Sequence, residues 1–117
     1  HFYCMNQSTL TTDFDDPAAP KVANEFVGGS VSSQSVNLVG SDPLGRAFEE
    51  SAQTWSPAFR YSDFRRNGYG VVDATPDGMA VTYRACRVRQ RGGAVVSSVR
   101  FDLTPGDPVP AMTPINP

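Results

Sequence analysis

The sequence predicts an α+β fold that is mostly β, with one helix near residues 43–55. Three observations carry this reading. Runs of β-branched and aromatic residues, bounded by Gly, Pro, Asp and Ser, recur at both ends of the chain. Ten glycines and ten prolines in 117 residues imply many turns. A single stretch places apolar side chains at helical spacing. With 39% hydrophobic and 19% charged residues the chain reads as globular rather than disordered or coiled coil. Its length allows one modest core.

The elements follow in order. "HFYCMNQS" at 1–8 is apolar and aromatic without clean alternation, as expected of a strand covered on both faces and flanked by neighbours on both sides. "TTDFDDPAAP" at 11–20 is a turn-rich connection, because Asp and Pro supply local turn chemistry. "KVANEFVGGSVSS" at 21–33 is a second strand, interrupted by Gly28-Gly29, a pair that predicts a bulge or close backbone approach. Asp42 before Pro43 is a cap followed by the favoured first helical residue. Leu44, Ala47, Phe48 and Trp55 then give the helix an apolar stripe, and Pro57 stops it. Strands over about 69–74 and 79–89 flank the turn "TPDG", and a further strand, "AVVSSVRFDL", follows "RGG". The predicted order is β-β-α-β-β-β, the last strands forming an antiparallel meander. Residues 105–117 are set apart as a Pro-rich extended tail: from 104 to the end, five of 14 residues are proline, which argues against a hydrogen-bonded ladder.

Formal net charge is −2, so bulk electrostatics argue against a nucleic-acid partner. The charge is uneven: residues 1–59 carry two basic and seven acidic side chains, residues 60–117 eight arginines and five acids. Such asymmetry fits two faces that meet each other or a partner. No stretch reaches the roughly 18 to 20 apolar residues that cross a bilayer, and no membrane association is expected. Cys4 and Cys86 both fall in strand-like runs, where either a disulfide or two buried thiols is consistent with the sequence. Two cysteines and one histidine are too few for a self-contained structural zinc site.

Few residues announce chemistry. His1 is the single histidine. On residue type alone it is either an arbitrary terminus or half of a copper-binding brace, and a brace requires a second imidazole that the chain lacks. Asp13, Asp15 and Asp16 offer hard oxygen ligands, but without a Gly-centred loop or closing Glu they read better as a solvated turn. Arg84, Arg87, Arg89 and Arg91 lie on one strand and its turn; a phosphate site and a charge-guarded edge strand both account for them, the edge strand better. "GGSVSS" at 28–33 has hydroxyls and a pliable backbone, yet no helix N-terminus follows it as a phosphate loop needs.

Two longer stretches and the opening resemble one family. "DFDDPAAPKVANEFVGGSVSS" is similar to the segment of PhoD-like alkaline phosphatases in which an Asp/Pro-rich loop leads into a strand with Glu-Phe-Val and a Ser/Thr-Ser run. "SPAFRYSDFRRNGYGVVDATPDGMAVTYRACRV" resembles the C-terminal signature of that family, in which a Ser-Pro, an aromatic-Asp step, basic residues and Gly-Tyr precede Asp-x-Thr-Pro and a hairpin. "HFYCMN" resembles the residues that begin at the histidine of its Gly-Asp-x-His motif, with Asn6 in place. The likeness runs from residue 1 to about 104. It implies the C-terminal part of a calcineurin-like metallophosphoesterase domain, a β-sandwich flanked by helices, over residues 1–104. It implies His1 as a metal ligand, with no other ligand, catalytic or substrate-binding residue assignable. Iron and calcium are the implied metals and phosphate mono- or diesters the implied substrates. The implied location is periplasmic or extracellular. The implied partner is an N-terminal portion of the same domain, without which this chain is inactive. The alternative is a stand-alone β-rich binding module.

Overall fold

The computed structural model describes residues 4–33, 42–86 and 94–115. Strands β1 (Met5–Thr11), β2 (Lys21–Val27) and β3 (Phe59–Asp63) form a sheet in the order β2-β1-β3. Strands β4 (Asn67–Thr75), β5 (Gly78–Cys86), β6 (Val95–Leu103) and β7 (Ala111–Ile115) form a second sheet, β4-β5-β6-β7. All pairings are antiparallel. Helix α1 (Asp42–Trp55) is the one helix among the described residues and packs on β3. The mostly β fold with a helix near 43–55 is therefore present. From Met5 on, the opening run is, as expected, part of a central strand with neighbours on both sides, β1 between β2 and β3.

The sheets face each other across an aromatic layer. Register sets Gln7 opposite both Phe26 and Tyr61, so the three share one face of the first sheet. Phe26 and Tyr61 meet Tyr83 and Phe101 from the second sheet at centroid distances of 5.5–6.3 Å, mostly edge-on. Such aromatic pairs each contribute about 0.5–1.5 kcal/mol beyond area burial. Met5, Val81, Ala85 and Val99 complete the core. The Tyr83 hydroxyl donates to the Asn6 carbonyl at 2.8 Å, which fixes the distance between the sheets.

Four expectations need correction. "FRYSD" is a strand, β3, although Pro57 and its mixed polarity hide it in the sequence; pairing with β1 makes it one. The tail does enter a ladder. A turn from Thr104 to Asp107 with Gly106 at φ 85° reverses the chain, and β7 pairs with β6, Pro114 opposite Val99. Proline is tolerated there because β7 is an outer strand. Arg84 lies on β5, between β4 and β6 rather than at a sheet edge, and its side chain is exposed; Arg87, Arg89 and Arg91 lie outside the described residues. Strand β2 simply ends at Val27, and nothing crowds Gly28. Close approach occurs instead at Gly68, where any Cβ would run into the Arg84 carbonyl of β5.

Candidate functional site

Register brings one set of chain ends to a common edge. Met5 sits opposite Asp63 and Asn6 opposite Val27. On the other sheet Asn67 sits opposite Cys86, and Cys86 opposite Val95. The start of β1, the loop after β2, the β3–β4 corner and the start of β6 therefore meet at this edge.

Three polar networks hold it. Asp63 is 0% exposed, and a carboxylate that deep must be fully bonded. Its Oδ1 accepts from the backbone N–H groups of Arg65 and Arg66, each at 3.0 Å, and its Oδ2 accepts from Arg66 Nε at 2.8 Å. Arg66 Nη1 reaches across to donate to Ser97 Oγ at 2.6 Å, which ties the first sheet to the second. In the second network Glu49 of α1 receives Arg65 Nε on both carboxylate oxygens, at 2.9 and 3.0 Å, and the Phe64 N–H at 3.1 Å. In the third, Asn67 Nδ2 donates to the carbonyls of Ser30 and Ser33, at 3.1 and 2.7 Å. Ser30 Oγ in turn accepts from the N–H groups of Ser32 and Ser33. The "GGSVSS" segment is thus clasped to β4 rather than loose.

His1 lies outside the described residues. Cys4, just before β1, is a free thiol whose pKa is pushed up by burial; Cys86 is also free. Asp13 and Asp16 accept from the N–H groups of Asp15 and Ala18, so two of the three acids in that cluster cap their own exposed turn. Among the described residues no three His, Cys, Asp or Glu side chains are grouped to hold a metal ion. Asp63, the one fully buried carboxylate among them, spends its oxygens on the backbone and Arg66. The described residues therefore do not fit a metal by themselves.

The profile of the PhoD-like phosphatases matches residues 2–83, most of the chain. The chain belongs to the PhoD-like phosphatase family. No curated protein and no solved structure matches it. The PhoD-like match spans every contributor to the edge just described except Cys86, Val95 and Ser97. Of those contributors, sequence reading singled out the serine loop and the basic pair after Ser62-Asp63. It assigned no role to Asp63, Arg66 or Asn67. Asp63 takes its bonds from its neighbours Arg65 and Arg66, but Ser97, the second partner of Arg66, and Ser30 and Ser33, the partners of Asn67, are remote in sequence. The readable signal was "SDFRRN", polar residues packed between two strands.

Proposed function

We propose that this chain forms part of a metal-dependent domain that hydrolyses phosphate mono- or diesters, with His1 as one of the metal ligands. The family match over residues 2–83 carries the reading. Bound cations in such a domain lower the pKa of a water and neutralise charge on the phosphoryl group. Iron and calcium are the metals of this reading. One imidazole cannot hold a catalytic ion, so the remaining ligands come from an N-terminal portion of the same domain. Export to the periplasm or extracellular space belongs to the same reading.

The test uses the protein that carries this chain together with that portion. Hydrolysis of p-nitrophenyl phosphate and bis-p-nitrophenyl phosphate is assayed, and bound metal is measured by elemental mass spectrometry. The expected result is hydrolysis of at least one ester, with bound metal and activity both lost in His1→Ala. A folded protein that holds no metal and cleaves neither ester sinks the proposal and leaves the binding-module alternative.

A further inference from the structure

We propose that Arg66 binds an oxyanion, specifically a phosphoryl oxygen of the substrate or of product phosphate; the identity of that anion rests on the phosphate-ester reading. Asp63 holds Nε and Ser97 holds Nη1, so the guanidinium plane has two fixed points on two different sheets. Nη2 has no hydrogen-bond partner among the described residues, and the side chain is 32% exposed. A cation held rigid at two nitrogens and open at the third is preorganised for an anion, because little rotamer freedom is left to lose on binding. The other cation of the corner, Arg65, is occupied by Glu49. Next to Arg66 in sequence, Asn67 holds the Ser30–Ser33 loop at the same edge. Ser30 Oγ already accepts two backbone N–H bonds there, which leaves the hydroxyl its own proton as a donor. Both nearby carboxylates, Glu49 and Asp63, are compensated by arginine and backbone donors, so neither repels an incoming anion with a bare charge. A purely structural staple would explain Nε and Nη1, but would not need the third nitrogen left open.

The test titrates inorganic phosphate into the complete protein by calorimetry, alongside ester hydrolysis. It compares the wild type with Arg66→Lys and with Arg100→Gln, a control on the exposed face paired with Asp102. Lysine retains one charged bond to Asp63 but has no planar fork. Phosphate Kd is expected to rise about tenfold or more in Arg66→Lys, as befits a lost charge-assisted bond, and to stay unchanged in Arg100→Gln. A wild-type Kd in Arg66→Lys overturns the inference, as does a loss of binding sites that only tracks the unfolded fraction seen by circular dichroism. Hydrolysis that survives with unaltered phosphate affinity in Arg66→Lys removes the anion role and leaves the phosphatase reading intact. Phosphate binding that depends on Arg66, in a wild type that cleaves no ester, does the reverse.

Discussion

Tyr61 shows how the core and the candidate edge touch. Its ring stacks on Tyr83 at 6.0 Å inside the aromatic layer, while its phenol is two residues from the buried Asp63. Burial, then the Asp63 charge, pushes its pKa far above the usual tyrosine value of 10.0. The folded state thus keeps a proton that the unfolded chain releases above that pH. Stability is full below about pH 10 and falls as pH rises beyond it, by up to roughly 1.4 kcal/mol per unit. Urea unfolding at pH 8 and pH 11 should show this decline in the wild type and a clearly shallower one in Tyr61→Phe. Equal slopes would mean that the phenol is not held neutral by the fold. Gln7 is a second buried polar residue at this scale. Its Nε2 donates to Asn24 Oδ1 at 3.1 Å, and Asn24 Nδ2 donates to the Pro108 carbonyl, so one amide links β1 and β2 to the tail.

Among the elements, the final loop and strand are the most separable. Strand β7 is exposed along its whole length and pairs only with β6. Ending the chain after Leu103 should lower the unfolding free energy from urea denaturation by no more than about 3 kcal/mol and leave the near-ultraviolet aromatic signal intact. Loss of that signal would show that the tail is needed to close the core. Legibility in the sequence divides along similar lines. The β4–β5 hairpin was readable because "TPDG" is a local instruction, and Thr75 duly meets Gly78 across it. Helix α1 was readable from Pro43, its spacing and Pro57. Strands β3 and β7 were not readable: neither alternates cleanly, β3 is held extended by β1, far off in sequence, and β7 lies in a Pro-rich run that can pair only because it is the outer strand beside β6. The candidate edge was legible only as composition. "SDFRRN" showed charge, but pairing of Arg66 with Ser97 and of Asn67 with Ser30 depends on how the sheets close.

Across the whole molecule, α1 does not turn its predicted apolar stripe inward. Leu44, Ala47, Phe48 and Trp55 are all exposed, Trp55 at 70%, and the buried apolar residue of the helix is Ala52, outside that stripe. Phe48 meets Trp55 and Phe64 edge-on or tilted, forming a small aromatic group on the surface. Trp55 is the single tryptophan, so its fluorescence reports this patch alone. In this chain on its own, emission should be red-shifted and readily quenched by acrylamide. A blue, protected emission would contradict the exposed placement. A different consequence follows from β1 lying between β2 and β3. Its pairing with β2 spans a short connection, but its other neighbour emerges some fifty residues later. While the chain is being synthesised, β1 must wait with one side of its ladder open. Such a half-built hairpin is the kind of species that recruits stray strands. The waiting strand carries Asn6, Gln7, Ser8 and Thr9 in succession, polar on both faces and buried only once β3 arrives. A strand with no charge, proline or glycine has nothing to repel a stray partner, and its amides can ladder, so prompt capture of its open side by β3 is what protects the chain during the interval in which it stands unpaired.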